Sequence, residues 1–171
     1  APDDVAKITD FGLATQWGGI QHVATGWRTY DELRQTFYGQ TMRGIGFGTP
    51  THMPPEQFKD VASCDARSDI YSMGVILFQM MTGGKLPFRV PFPTDQTMES
   101  HYQFWKDMET IHRDLAPPQL NSPLDPILRR CLHPDREQRY ANFSALRHDV
   151  AKLLRQQTGE QIPPPPPKAL E

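Results

Sequence analysis

Three residues near the start of the chain have the types and order to hold a metal ion against phosphate. Lys7-Ile8-Thr9-Asp10 reads as the end of a short strand, and Phe11-Gly12 follows with a glycine at the point of reversal. A carboxylate at such a reversal is a hard oxygen ligand, suited to a cation such as Mg²⁺ that bridges phosphate oxygens. A turn aspartate capping a strand end has the same local sequence, so the tripeptide decides nothing alone. Further on, Gly48-Thr49-Pro50 and Pro54-Pro55-Glu56 add a hydroxyl and a second carboxylate to a segment punctuated by glycine and proline.

The order of later motifs gives these residues a context. After Glu56 come S-D-I-Y-S-M-G-V-I-L-F-Q-M-M-T-G at 68–83, L-P-F at 86–88 and R-C-L-H-P-D-R-E-Q-R-Y at 130–140. With D-F-G and G-T-P-T-H-M-P-P-E ahead of them, the chain resembles the back half of a eukaryotic-type Ser/Thr protein kinase domain from about residue 5 to residue 155. The Gln57-Phe58 pair after P-P-E and the run from Arg139 to Arg147 resemble bacterial members more than animal ones.

The resemblance assigns roles residue by residue. Asp10 would chelate Mg²⁺ on the β- and γ-phosphates of ATP, Phe11 would pack behind it, and Gly12 would permit the twist that aims it. Thr49 resembles the threonine in the pocket for the substrate residue after the phospho-acceptor; a turn residue before Pro50 is the plainer reading. His52 stands where Tyr is usual, and Pro54 where Ala is usual. Glu56 should pair with Arg139 and tie the activation segment to the last helices. Asp69 resembles the aspartate that accepts hydrogen bonds from the catalytic-loop backbone; it also suits the positive end of a helix. The activation segment, 10–56, is longer than usual, and Thr25, Thr29, Thr36 and Thr41 are candidate phosphorylation sites beside Arg28 and Arg43. Hydroxyl residues are common in any polar loop, so no one of them stands out.

The elements that must position these groups are mostly helical. Residues 5–11 alternate as a strand would, and 15–47 read as a long loop. Asp69 to Met81 is apolar on nearly every side, the pattern of a helix buried all round, with Gly83-Gly84 as its left-handed end. A second helix is expected over about 98–115, its stripe formed by Met98, Tyr102, Trp105, Met108 and His112. A third should start near Ser122-Pro123 and turn Ile127, Leu128, Cys131 and Leu132 inward. The last begins at Asn142, with Phe143, Leu146, Val150 and Leu153 on one face. Beyond Gln161 the chain becomes a run of prolines, a stiff spacer leaving the domain.

Composition excludes several classes. With 18 basic and 20 acidic residues and a net charge of −2, the chain has no electrostatic footprint for nucleic acid. Its two cysteines suit a reducing compartment, and Cys131 with His133 falls short of a four-ligand zinc set. No apolar run approaches the roughly 20 residues a membrane span needs. Ala1 without a preceding Met points to an expression or cleavage boundary.

Two strings imitate catalytic motifs. Ile111-His112-Arg113-Asp114-Leu115 spells the catalytic-loop sequence, but it follows D-F-G instead of preceding it. Ala116 and Gln119 occupy the places of the motif's Lys and Asn. It reads as a surface coincidence, with a relocated catalytic base as the remote alternative. Gly44-Ile45-Gly46-Phe47-Gly48 lacks the G-x-G-x-x-G spacing and reads as flexible loop.

The expected fold class is mainly α: a kinase large lobe with a short N-terminal strand, the small lobe and catalytic loop absent. Residues 1–158 would form the partial lobe, with helix F at about 69–82 and the last helices at about 123–157; 159–171 would be a proline-rich tail. The resemblance implies ATP and Mg²⁺ as cofactors and protein substrates as partners. The sequence contains no glycine-rich loop, strand Lys, partner Glu or catalytic Asp and Asn, so these 171 residues alone are expected to be inactive. A kinase-derived scaffold without catalysis is the alternative. Apolar surface left by a missing lobe would favour self-association. The chain is expected in the cytoplasm, its parent anchored to a membrane beyond the tail.

Overall fold

The computed structural model describes residues 50–60, 63–95, 97–161 and 163. The expected strand at 5–11, Asp10-Phe11-Gly12, the four threonine candidates, Gly44–Gly48, Thr49 and the prolines from 164 onward lie outside the described residues. What is described is mainly helical. A 3-10 turn at Pro50–His52 leads to α1 (Pro55–Lys59), α2 (Ala66–Thr82), α3 (Met98–Asp114) and α4 (Asp125–Cys131). A second 3-10 turn at Arg136–Gln138 and α5 (Phe143–Thr158) complete it.

Local chemistry sets the ends. Pro54 is extended (φ −71°, ψ 157°) because a proline follows it, and Pro55 opens α1 where its missing N–H costs nothing. The α2 helix begins one turn before Asp69. Asp65 caps it by accepting from Arg67 N–H at 2.8 Å, and Ser68 Oγ accepts from the Asp65 N–H at 3.3 Å. This is a reciprocal capping box with serine in the place usually held by Glu or Gln. At the other end Gly83 and Gly84 both take positive φ, and both N–H groups donate to the Gln79 carbonyl. The third helix starts later than Ser122-Pro123 suggests: Pro126 is its first-turn proline, and the Asp125 carboxylate gathers the N–H groups of Leu120 and Ser122. Asn142 caps α5 through Ala145 N–H at 2.9 Å.

Packing centres on α2, but only one of its faces is covered. Ile70, Tyr71, Val75 and Phe78 are buried, whereas Ile76, Met80 and Met81 are exposed, Met80 by 74 %. Burial all round, expected from composition, is therefore not what the structure shows: no described element lies over that second face. Gly74 lets α4 come close, since a Cβ there would stand 2.7 Å from Cys131 Cβ. On the opposite flank α1 and α3 meet through Phe58, Phe104 and Met108, with Met53 between them. Phe143 remains exposed at the start of α5, leaving Leu146 as the buried anchor of that helix.

Candidate functional site

Glu56, on α1, and Arg139, which follows the second 3-10 turn, are brought together from opposite ends of the described chain. Arg139 Nη1 donates to Oε1 at 2.7 Å and Nη2 to Oε2 at 2.9 Å, a two-pronged contact. Its remaining donors reach the carbonyls of His133 (2.7 Å), Arg67 (3.1 Å) and Pro134 (3.0 Å). All five N–H groups of the guanidinium are thus used, as a fully buried cation requires. The group also lies over the Tyr71 ring, 4.8 Å from its centroid. Ser68 adds a hydroxyl to Glu56 Oε1 at 2.8 Å. Burial alone would push the Glu56 carboxyl up; the hydrogen bonds and charge of Arg139 outweigh it and hold the group below its ordinary range.

An outer set of contacts braces this clamp. Arg67 binds Asp65 at 2.8 Å and Glu137 at 2.6 Å, and its charge and hydrogen bonds keep the Asp65 carboxyl low. Arg136 Nη1 donates to the Ser63 carbonyl at 2.7 Å. The connection between α1 and α2 is therefore strapped at both ends to residues 133–139.

The segment entering α1 is held by side chains. His52 Nε2 meets Gln79 Oε1 at 2.8 Å, and Ser72 Oγ donates to the His52 carbonyl at 2.9 Å. Behind Met53, His112 sits fully buried among the rings of Phe58, Tyr71 and Phe88. Its Nδ1 is 2.8 Å from the Tyr71 hydroxyl, while Nε2 has no hydrogen-bond partner among the described residues. Burial, with a smaller push from His52, lowers the imidazole to about 4, so it stays neutral.

This corrects the surface reading of Ile111–Leu115. His112 belongs to the core, whereas Arg113, Asp114 and Leu115 face solvent, the first two paired at 2.7 Å. The Arg113 guanidinium lowers the Asp114 carboxyl, the reverse of what a catalytic base needs.

Asp69 is exposed on the first turn of α2 and accepts no hydrogen bond among the described residues. Desolvation of its carboxyl and the nearby charge of Asp65 both raise its pKa. Burial lifts the thiols of Cys64 to about 11 and Cys131 to about 12, which keeps both protonated. Among the described residues no His, Cys, Asp and Glu cluster could hold a metal, and no helix is long and apolar enough to cross a membrane. Gln79 and Ser72, which anchor His52, were not legible as site residues: two polar side chains inside a helix carry no motif.

Comparison with known proteins fits this arrangement. Residues 2–151 match the model of the protein kinase domain. The chain is 34 % identical over 172 residues to the serine/threonine-protein kinase PknB of Mycobacterium tuberculosis, covering 98 % of the chain and 22 % of that protein. It is 31 % identical over 150 residues to the probable serine/threonine-protein kinase PknB of Bifidobacterium longum (88 % and 18 %). With Pkn1 of Myxococcus xanthus, also a serine/threonine-protein kinase, the identity is 29 % over 148 residues (86 % and 18 %). The chain thus spans only 18–22 % of the length of these bacterial relatives. By the extent of the family match and the order of its motifs, the chain belongs to the protein kinase domain family.

Proposed function

We propose that this chain is the large-lobe part of a Ser/Thr protein kinase, which transfers the γ-phosphate of ATP to Ser or Thr hydroxyls of protein substrates. Members of the family use ATP and Mg²⁺ generally. The observation that carries the reading is the Glu56–Arg139 clamp inside the family match over residues 2–151: it fixes the end of the segment on which Thr49 lies. Phosphoryl transfer asks a protein mainly to position phosphates, cations and an acceptor, so a rigidly held substrate segment is a functional requirement.

In this role Asp10 supplies a carboxylate to Mg²⁺ on the nucleotide, with Phe11 and Gly12 setting its direction. Thr49 lines the pocket for the substrate residue after the acceptor, and Glu56 and Arg139 are structural. The exposed carboxylate of Asp69, without a hydrogen-bond partner among the described residues, suits acceptance of backbone N–H groups from a catalytic loop. Phosphorylation at Thr25, Thr29, Thr36 or Thr41 would regulate the segment. The protein works in the cytoplasm, with a parent anchored in a membrane beyond the proline-rich tail.

The 171 residues alone transfer no phosphate, because nothing in them corresponds to the glycine-rich loop, strand Lys or catalytic Asp. The test is radiolabel transfer from Mg-ATP to a Ser/Thr peptide, by this chain and by the same chain extended upstream through those motifs. Activity in the extended protein, lost in Asp10→Asn, is expected; transfer by the short chain, or none by either, contradicts the reading. The exposed Ile76, Met80 and Phe92 also favour self-association of the isolated chain. A strict monomer by light scattering at high concentration would count against it.

A further inference from the structure

Residues 50–53 are tied down by contacts that the family match does not assign. The carboxamide oxygen of Gln79 can only accept, so the ring N–H of His52 resides on Nε2. Nδ1 is then left to accept from the Thr51 hydroxyl at 2.9 Å. Ser72, seven residues before Gln79 and on the same face of α2, holds the His52 carbonyl. Backbone and ring of one residue are thereby fixed to a single helix. That helix is firmly terminated at the Gln79 end, where Gly83 and Gly84 both donate to the Gln79 carbonyl. Met53, the next residue, is buried against Phe58, Phe104 and Met108. The rotation of Pro50–His52 about that plug is thus set by the bonds from α2.

We propose that Gln79 is a positioning residue for substrate selection: by holding the His52 ring, it fixes the orientation of the segment that continues from Thr49. The inference rests on the kinase reading above and deepens it. Gln79 touches neither nucleotide nor reacting atoms in this scheme, so its loss should weaken peptide recognition and spare the phosphoryl-transfer step. The groups facing the His52 ring are neutral ones, Thr51 and Gln79, with the buried, neutral His112 beyond Met53. A carboxylate in place of the carboxamide would favour the imidazolium and convert the contact into a charge-assisted bond.

The experiment uses the chain extended through its small lobe and catalytic loop, with peptides that vary in the residue after the acceptor. For Gln79→Ala, peptide KM should rise roughly five- to tenfold, the scale of one net hydrogen bond. Preference at the varied position should flatten, with kcat and the KM for ATP held within about twofold. Gln79→Glu should recover the wild-type peptide KM at pH 6 and lose part of it at pH 8.5. On the 171-residue chain, ¹⁵N spectra should show His52 as the Nε2–H tautomer, and Gln79→Ala should remove that preference. An active wild type with unchanged peptide KM and preference in Gln79→Ala overturns the inference alone. So does equal loss of kcat and both KM values, the mark of a general structural defect. An extended wild type that transfers no phosphate overturns the kinase reading and this inference with it, while the spectra still report on the bond.

Discussion

Lowering the pH from 7.5 to 5 should destabilise this chain through His112 by an amount that the structure sets. The ring is fully buried among Phe58, Tyr71 and Phe88, and among the described residues no carboxylate contacts it. Its pKa falls from 6.5 to about 4 in the folded chain. A histidine kept neutral by folding contributes its full stability above the unfolded pKa, and loses it as pH drops toward the folded one. At about 1.36 kcal/mol per unit, the loss is about 2 kcal/mol at pH 5 and about 3 kcal/mol at pH 4, where the folded ring is half protonated. Glu56, whose carboxyl is held low, adds its own loss only further down. The imidazole's contribution therefore falls in the 5–6.5 window, and its removal separates it from that of other groups. Urea unfolding at half-unit steps would measure the slope, and His112→Gln should flatten it in this window whatever it does to absolute stability. Should the variant not fold, a ¹³C titration of the wild-type His112 ring gives the midpoint directly. A midpoint near 6.5, or the same slope in wild type and variant, would refute the reasoning.

Three further outcomes follow from the packing. Arg139→Ala strands Glu56 and three carbonyls, so it should cost about 3–5 kcal/mol by denaturant unfolding; Arg139→Lys, with one compact charge in place of a fork, should not restore it. Gly74→Ala drives a methyl group to 2.7 Å from Cys131 Cβ, where neither helix can yield, and should lower stability by about 1–3 kcal/mol in the same assay. Because burial lifts Cys64 to about 11 and Cys131 to about 12, iodoacetamide at pH 7.5 should label both slowly in the folded chain and quickly in urea. Rapid labelling of either thiol without denaturant would contradict that burial.

How much of this was legible in the sequence depends on the range of each interaction. The glycine end of α2 and the Asn142 cap are local, and residue type suffices to place them. The start of α2 was read one turn late because its capping box uses Ser68 in place of a carboxylate or amide. Two X-Pro pairs three residues apart compete to open α4, and the hydrogen bonds of Asp125 favour the second. The pairing of Glu56 with Arg139 came from motif resemblance alone, since no rule of spacing links residues so distant in the chain. His112 was read two ways, on the helix stripe with Met108 and within a string taken as a surface coincidence. Its burial agrees with the stripe, and the charged neighbours Arg113 and Asp114 account for the other reading. The His52–Gln79 bond had no sequence signal. Bare apolar positions on α2 likewise read as core, because composition does not say whether a partner exists.

Reading the gene upstream of the codon for Ala1 tests the central claim most directly. His-Arg-Asp-x-Lys-x-x-x-Asn just before it, with a strand Lys and a glycine-rich loop further up, is the expected result. It would make this chain one part of a catalytic Ser/Thr kinase domain. A start codon or an unrelated domain at that place would contradict the claim and make the Glu56–Arg139 clamp the frame of a non-catalytic scaffold.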